Sequence, residues 1–424
     1  MSELALRSDE APNSPMRIAL LGYRSNPFSG GQGIYLKYMS SALAEAGHEV
    51  DVISGEPYPD LDPRVRLVKL PGLNLYEANN HVTALRPRHL RSMTDTFEWL
   101  SMLTGGFPEP YTFGRRLQRH FQALQRSGTR YDIVHDNQSL SYGALALQQQ
   151  GLPLVTTIHH PITWDRDIAL THAENWQERL LIRRWHNFLN MQTRVARRLQ
   201  WVVTVSERSR QDICAAFDIS PKQVHVVYNG VDTQAFRPEP DIARNPWQLI
   251  TTASADQPLK GTQHLIPAFS QLCRQFPKLR LTFIGQPKPG GPTERLIDQL
   301  GVRERIVFMH GISADEMRAL YAGSAVAVIP SEYEGFGLPA AEAMACGTPV
   351  VSTDGGALPE VVGEAGLVVP AGSPNALASA IGELLQDPAR RAELGRRGRG
   401  RIEKNFSWSQ AASQMTALYQ QVRT

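Results

Sequence analysis

The sequence has few cysteines, little net charge and no long apolar run. Its three cysteines, Cys214, Cys273 and Cys346, have no metal-ligand spacing, which favours reduced thiols in a cytoplasmic protein. A net charge of +3 and a pI near 8.7 are too weakly basic to indicate a nucleic-acid partner. No apolar run approaches the ~18 residues of a membrane span, and no segment resembles a signal peptide. We therefore expect a cytoplasmic globular protein that binds no nucleic acid.

The length of 424 residues is large for a single core and predicts two domains. An apolar content of 42% and a charged content of 20% are ordinary for a soluble globular chain. Residues 1–15 are polar and contain two prolines, so we expect them to be disordered. After Met16, short apolar runs alternate with helical stretches. This pattern predicts an α/β protein with doubly wound parallel sheets.

Two groups of apolar runs predict the strands of the two domains. The first group is Met16–Gly22, His48–Ser54, Val65–Leu70, Tyr131–His135, Leu154–His159, Trp201–Val205 and Val224–Tyr228. The second group is Leu249–Ala253, Leu281–Gly285, Ile306–His310, Ala325–Ile329, Val350–Ser352 and Leu367–Val369. A linker stiffened by Pro238, Pro240 and Pro246 lies between them. The stretch from Ser407 to Val422 predicts a final amphipathic helix.

The stretch from Ala325 to Val351 is the most informative part of the chain. It predicts a strand, a glycine-containing loop, a short helix and a second strand, which places the helix N-terminus at the ligand-binding edge of a parallel sheet. Glu334 lies in the loop and Glu342 lies one turn into the helix. Backbone amides suit a diphosphate, whereas carboxylates suit sugar and ribose hydroxyls. Alternatively, Glu342 only complements the helix dipole and Glu334 is a solvated loop residue.

Two further loops favour ligand binding more weakly. Gly30, Gly31 and Gly33 follow the first predicted strand, where they either approach a ligand closely or form a tight turn. Their spacing is not that of a nicotinamide dinucleotide fingerprint. Lys260 follows the first strand of the second group and offers a point charge to a diphosphate.

The segment EGFGLP…EAMACGTPVV resembles the signature of the family 4 retaining glycosyltransferases, which have the GT-B fold. Glu334 and Glu342 reproduce the two glutamates of that motif. The resemblance implies two Rossmann-like domains facing a cleft: an acceptor domain at 16–235, closed by a helix at 407–424, and a donor domain at 236–406. It implies no cofactor, since the nucleotide sugar is a substrate, and no metal, since no Asp-x-Asp motif is evident.

The resemblance also implies roles for particular residues. The donor-binding positions are Gly31, Ser254, Lys260, Gly285, Glu334, Gly335, Phe336, Gly337, Leu338 and Glu342. The catalytic positions are Lys260, Glu334 and His159, the last of which lies in a T-x-H segment and is preferred to His135 and His160. Gly30 and Asn137 fall on the acceptor side. Ser254 stands where the family normally has a phosphate-binding arginine, so either Lys288 replaces that arginine or donor binding is weaker.

Two segments of the first domain allow two interpretations each. The insertion from Pro71 to Arg130, with many aromatic residues, is either the acceptor region or a structural helical hairpin. The arginine-rich segment from Glu178 to Arg198 is either a solvated helix or a helix that rests on anionic lipid at the inner face of a membrane.

The predicted function is metal-independent transfer of a sugar, with retention, from a UDP- or GDP-sugar to a hydroxyl of a glycan, lipid or small molecule. The alternatives are a GT-B sugar-nucleotide epimerase or phosphorylase, and a non-catalytic nucleotide-sugar-binding subunit. The sequence does not specify the sugar, the acceptor or the oligomeric state.

Overall fold

A computed structural model describes residues 14–26, 31–77, 90, 92–173, 175–253 and 256–423. Two parallel sheets, each with helices on both faces, form two Rossmann-like domains. The predicted disorder of residues 1–15 falls almost entirely outside the described residues, as do the two candidate site residues Gly30 and Ser254.

The first sheet has seven parallel strands in the order β3-β2-β1-β4-β5-β6-β7. They are β1 (Arg17–Gly22), β2 (Glu49–Ser54), β3 (Arg66–Lys69), β4 (Ile133–Asn137), β5 (Leu154–Thr157), β6 (Val202–Thr204) and β7 (Val224–Val226). Its helices are α1 (Gly31–Glu45), α2 (Met93–Leu103), α3 (Glu109–Arg126), α4 (Tyr142–Gln149), α5 (Thr163–His172), α6 (Trp176–Trp185), α7 (Leu189–Ala196) and α8 (Glu207–Phe217). The central strands β1 and β4 are buried almost throughout. The apolar run of β1 predicts this burial, whereas β4 also buries the polar side chains of His135, Asp136 and Asn137.

The second sheet has six parallel strands in the order β10-β9-β8-β11-β12-β13. They are β8 (Asn245–Thr252), β9 (Arg280–Ile284), β10 (Ile306–Met309), β11 (Ser324–Ile329), β12 (Val350–Thr353) and β13 (Leu367–Val369). Its helices are α9 (Thr262–Gln275), α10 (Pro292–Gln299), α11 (Ala314–Gly323), α12 (Leu338–Ala345), α13 (Leu358–Val362), α14 (Pro374–Gln386) and α15 (Pro388–Asn405). In both sheets the order reverses beside the first strand, and ligands of open α/β sheets bind at such a reversal.

The last helix, α16 (Trp408–Arg423), packs on the first domain although it follows the second in the chain. Trp408 stacks on Tyr38 of α1 with ring centroids 5.6 Å apart. The hydroxyl of Tyr419 lies 2.5 Å from Nδ1 of His135, and Thr416 Oγ1 lies 3.0 Å from Nε2 of His48. These contacts fix α16 through both apolar packing and buried polar pairs.

The segment from Glu178 to Arg198 is not the single helix that its composition predicts. Helix α6 ends at Trp185, a 3-10 turn spans His186–Phe188, and α7 begins at Leu189. Trp185 and Phe188 both contact the ring of Phe107. This packing, together with the low helix propensity of consecutive Trp, His, Asn and Phe, explains the interruption. Within the insertion, α2 and α3 form a helical pair joined by the ion pair between Arg116 and Glu98, 2.7 Å apart.

We predict that Tyr419→Phe lowers the free energy of unfolding by about 1–3 kcal/mol, because His135 is buried and loses one of its two hydrogen-bond partners. Chemical denaturation followed by circular dichroism measures the loss. Gln420→Ala, at the next and exposed position of α16, is the control and should leave stability within about 0.5 kcal/mol of the wild type. Equal stability of Tyr419→Phe and the wild type would show that the contact is not stabilising.

Candidate active site

The loop between β11 and α12 holds one side of the candidate site. Gly337 has φ of 99°, a conformation that favours glycine, and it caps the N-terminus of α12. A Cβ on Gly261 would lie 1.8 Å from the carbonyl oxygen of Pro330, so the loop before α9 touches the loop before α12. The amides at the start of α12 therefore point toward the same space as the loop that carries Lys260.

Lys260 and Glu334 form an ion pair within this space. Lys260 Nζ lies 2.8 Å from Glu334 Oε1, and the Ser331 hydroxyl donates to the same oxygen at 2.8 Å. The side chains are 28% and 12% exposed, so both groups remain accessible to a ligand. The candidate phosphate-binding cation and the candidate sugar-binding carboxylate are thus adjacent.

Glu342 lies deeper on α12 and next to Tyr321. Burial raises the pKa of Glu342 to about 8, while a hydrogen bond from the Tyr321 hydroxyl lowers it less strongly. That hydroxyl also lies 3.1 Å from Thr252 Oγ1 at the end of β8. Burial, with the nearby charges of Asp232 and Glu342, raises the pKa of Tyr38 to about 12. Tyr38, on helix α1 of the first domain, is therefore near Glu342.

His159 is held in one orientation by groups of the first domain. Asn137 Nδ2 donates to the carbonyl oxygen of Gln32 at 3.1 Å, which leaves Asn137 Oδ1 to accept from His159 Nε2 at 2.7 Å. The ring of Tyr35 meets the His159 ring edge-on, with centroids 4.8 Å apart. Burial lowers the pKa of His159 to about 3, with smaller contributions from two neighbouring histidines. His159 is thus a neutral imidazole whose Nε2 proton is fixed by Asn137.

Asn137 and His135 lie on β4, the strand beside the one that leads to His159. The Asn137 side chain is 1% exposed, and its amide is used by Gln32 and His159, so it is placed to orient the site. His135 is bonded to Thr157 Oγ1 at 2.7 Å and to Tyr419, which makes it a structural group. His160 faces the cleft and lies 3.0 Å from Asp165 Oδ2.

Gly335 brings the two domains into contact at the site. Its carbonyl oxygen accepts from Ser206 Oγ at 2.7 Å and from Ser209 Oγ at 3.1 Å, both at the start of α8. A Cβ at Gly335 would lie 2.9 Å from the carbonyl oxygen of His159. The donor loop and the His159 segment are therefore within van der Waals contact.

A second contact between the domains comes from the Glu360 carboxylate on α13. It accepts from the amides of Glu207 and Arg208 at 2.9 and 2.7 Å and from the Tyr228 hydroxyl at 2.9 Å. A carboxylate here satisfies free amides at the N-terminus of α8. Neither Glu360 nor the two serines at 206 and 209 were predicted from the sequence. The serine at 206 is recognisable as an N-cap, but its partner in the other domain is not.

The other residues that the sequence predicts at the donor site are in loops or at helix ends. Gly31 begins α1, and a Cβ built there would meet no atom of the described residues within 4 Å. Gly285 has φ of 144°, and a Cβ there would lie 2.1 Å from the carbonyl oxygen of Ala253. Phe336 is buried and its ring packs on Phe406, so only its backbone is available to a donor. Leu338 opens α12, and Lys288 is exposed on the loop after β9.

Metal clusters and membrane spans are both absent from the described residues. No group of three or more His, Cys, Asp or Glu side chains in this part of the chain is arranged to hold a metal ion. No helix within the same residues is both long and apolar enough to cross a membrane.

Comparisons with known proteins give the family. Residues 29–235 match the model of Glycosyltransferase Family 4, and residues 232–401 match that of Glycosyl transferases group 1. An MMP alpha-(1->4)-mannosyltransferase of Mycolicibacterium hassiacum is 47% identical over 96% of this chain and 98% of its own length. A D-inositol 3-phosphate glycosyltransferase of Corynebacterium glutamicum is 28% identical over 95% of this chain and 96% of its own length.

Solved structures give the same fold. Sucrose-phosphate synthase from Thermosynechococcus elongatus superposes with a TM-score of 0.70 at 25% identity, covering 96% of this chain and 98% of that one. Anabaena HepE in complex with UDP gives 0.69 at 18% identity, covering 96% and 100%. With the two parallel-sheet domains described above, these matches confirm the predicted fold and family: the chain belongs to the glycosyl transferases group 1, of the family 4 type, and is a GT-B glycosyltransferase.

Proposed function

We propose that the protein transfers a hexosyl group, mannosyl by preference, from a UDP- or GDP-sugar to a hydroxyl of a sugar acceptor, with retention and without a metal. The observation that carries the proposal is the Lys260–Glu334 pair beside the N-terminus of α12, with the His159 segment directly opposite. A cation, free amides and carboxylates in one cleft match the three parts of a nucleotide sugar: diphosphate, ribose and sugar.

The positive side of this cleft suits the diphosphate. Lys260 supplies a compact charge and the N-terminus of α12 supplies amides and a partial positive charge. As the bond between the anomeric carbon and the diphosphate breaks, negative charge grows on the leaving phosphate, and these groups stabilise it. Because they supply the positive charge that a metal would otherwise provide, the proposal includes no metal.

The carboxylates suit the hydroxyl-bearing parts of the donor. Glu342 lies inside the cleft on α12, where a ribose on the same side as the diphosphate would reach it. Glu334 lies nearer the first domain, and its pairing with Lys260 leaves one oxygen for a sugar hydroxyl. His159, neutral and fixed by Asn137, is placed to contact the donor sugar or to orient the transition state.

The relatives support the choice of sugar and acceptor. The relative that is 47% identical carries alpha-(1->4)-mannosyltransferase in its name, and Anabaena HepE binds UDP in its solved structure. An α-linked product from a donor with an α-linked sugar requires net retention.

Peripheral contact with anionic lipid is a further proposal, supported by exposed apolar side chains and exposed arginines on α6. The vesicle measurement described below tests it.

We expect sugar transfer from at least one of UDP-glucose, GDP-glucose and GDP-mannose to methyl α-mannoside, with an α-linked product by nuclear magnetic resonance. Activity should survive EDTA. An epimerised or phosphorolysed donor formed without any acceptor would support the epimerase or phosphorylase alternative instead. Donor binding without turnover on any acceptor would support a binding subunit.

Titration calorimetry on Lys260→Met and Glu334→Gln separates the proposed diphosphate-binding role of Lys260 from the proposed sugar-binding role of Glu334. Each variant is titrated with nucleoside diphosphate and then with donor sugar. Lys260→Met should weaken both ligands by roughly 10- to 150-fold, the equivalent of one charge-assisted hydrogen bond. Glu334→Gln should bind nucleoside diphosphate no more weakly than the wild type, because Lys260 is released from its ion pair. The same variant should bind the donor sugar more weakly or turn it over more slowly.

Lys288→Met tests the competing lysine, since Lys288 is exposed on the neighbouring loop and is the candidate replacement for the phosphate-binding arginine. If Lys288→Met weakens nucleoside diphosphate more than Lys260→Met does, the diphosphate lies on the other loop. If Glu334→Gln weakens both ligands equally, Glu334 belongs to the nucleotide rather than to the sugar.

Nucleotide affinity should depend on pH through Glu342. Its pKa of about 8 keeps the carboxyl protonated at neutral pH, whereas ribose hydroxyls donate best to the ionised form. Affinity should therefore rise up to about tenfold per pH unit between pH 6.5 and 8 and level off above pH 8. In Glu342→Gln this rise should disappear. Parallel profiles for the variant and the wild type would contradict the assignment.

The same pKa gives a stability test. The folded protein keeps this proton at pH values where the unfolded chain has lost it, so the folded state binds more protons between the ordinary pKa of a glutamate and about 8. Wild-type stability should therefore fall, relative to Glu342→Gln, as pH rises through this interval. Thermal unfolding at pH 5 and pH 8 measures the difference.

A further inference from the structure

Three aromatic side chains form a shelf on the first domain, away from the residues assigned above. We call Tyr76, Phe107 and Trp185 the aromatic shelf. Phe107 and Trp185 are stacked with ring centroids 5.0 Å apart, and Tyr76 lies 6.0 Å from each of them. Although it contacts both rings, Tyr76 remains 53% exposed. Tyr76 is thus the exposed member of the shelf, whereas Phe107 and Trp185 are half-buried.

The shelf lies at the cleft edge of the first sheet. Tyr76 comes from the segment after β3, Phe107 from the turn between α2 and α3, and Trp185 from the end of α6. Tyr23, directly after β1, contacts Phe107 with ring centroids 6.4 Å apart. Strand β1 is two positions from β5, which leads to His159, a separation of about 10 Å. A chain-like acceptor that reaches His159 along this edge would pass the shelf.

A partly buried ion pair lies against the shelf. The Arg24 guanidinium is 4.4 Å from the centre of the Tyr76 ring, and its Nη1 is 3.0 Å from Oε2 of Glu109. Both charged side chains are mostly buried, so they are fixed in position. The exposed Tyr76 ring, backed on one face by the Arg24 guanidinium, suits a sugar, which has an apolar face and a rim of hydroxyls. A purely apolar ligand would gain nothing from the ion pair.

We infer that the aromatic shelf is a distal acceptor subsite, which binds a sugar unit of an oligosaccharide beyond the unit that carries the reacting hydroxyl. The inference rests on the proposed function, since it assumes an acceptor made of linked sugars. The shelf would determine the preferred length of the acceptor, because short acceptors do not reach it and longer ones do. The acceptor class is thus an oligosaccharide rather than a single sugar.

The outer surface beside the shelf could bind a different ligand, namely lipid. Most of the exposed large apolar residues in the described chain lie on or next to α2 and α6: Tyr76, Leu90, Met93, Phe97, Leu100, Leu103, Trp176, Leu180 and Leu181. Such a surface suits lipid. The Arg24–Glu109 pair favours a sugar at the shelf itself, and a membrane is therefore an outcome of the test rather than the proposal.

The test compares kcat/KM for methyl α-mannoside and for α-(1→4)-linked di- and tetrasaccharides of mannose. In the wild type the ratio of tetrasaccharide to monosaccharide should exceed one. In Tyr76→Ala and Trp185→Ala this ratio should fall by about 2- to 12-fold, the value of one aromatic contact. Trp176→Ala, at the other end of α6 and 71% exposed, is the matched control and should keep the wild-type ratio.

Donor-free calorimetry with the tetrasaccharide makes the result independent of turnover. Binding that is lost in Tyr76→Ala and Trp185→Ala but kept in Trp176→Ala supports the subsite, even if no mannoside is glycosylated and the proposed function fails. Trp185→Phe should retain most of the binding, which separates lost stacking from misfolding.

Three outcomes would overturn the inference. One is a wild-type ratio near one together with no tetrasaccharide binding. Another is an equal loss of kcat/KM at every acceptor length in the two shelf variants. The third is flotation with anionic phosphatidylserine vesicles that needs Tyr76 and Trp185 while the tetrasaccharide does not bind. Flotation that needs Trp176, combined with tetrasaccharide binding that needs Tyr76, supports the subsite and assigns membrane contact to the outer surface.

Discussion

The contact between the Gly335 carbonyl and the two serines of α8 is the constraint on which the site depends. Glu334 and the start of α12 lie on either side of Gly335, so the hydrogen bonds that join the domains also position the donor loop. The absence of a side chain at Gly335 lets this loop approach the His159 carbonyl. The same backbone segment therefore joins the two domains and forms part of the donor loop.

Burial sets the charges within this cleft. It disfavours ionised groups, so Glu342 holds its proton to about pH 8 and His159 stays neutral. Lys260 and Glu334 are less buried and compensate each other. Within this pair, the charge of Lys260 is balanced by that of Glu334. A dianionic ligand would meet a cation that is already neutralised by its neighbour, and it must draw Lys260 away from Glu334.

The sequence predicted features that depend on local pattern and missed those that depend on distant contacts. All thirteen strands of the described residues lie where apolar runs predict them, within a few residues. Helix α12 is the short helix predicted after the glycine-containing loop, and Gly337, Pro339 and Gly347 delimit it. The interruption of the Glu178–Arg198 segment was not predicted, because Phe107, which packs on it, is far away in sequence.

In the candidate site, too, the sequence identified single residues from local pattern and missed the contacts between distant segments. The carboxylates and Lys260 were identified from their places in strand–loop–helix units, but their ion pair joins two loops that no local pattern relates. Asn137 was assigned to the acceptor side, whereas its amide is engaged by Gln32 and His159. Its assignment to the acceptor remains a prediction, as do the roles of the other site residues.

The return of α16 to the first domain also affects how the protein is made. Trp408, Met415 and Tyr419 are core residues of the first domain, yet they follow the whole second domain in the chain and leave the ribosome after it. At about 5–20 residues per second, the whole second domain is synthesised before they become available, a delay on the order of 10 s. During that time the groove between α1 and the first sheet lacks its covering helix. The nascent chain therefore exposes an apolar surface until α16 covers it, so the first domain is complete only after the second domain has been synthesised.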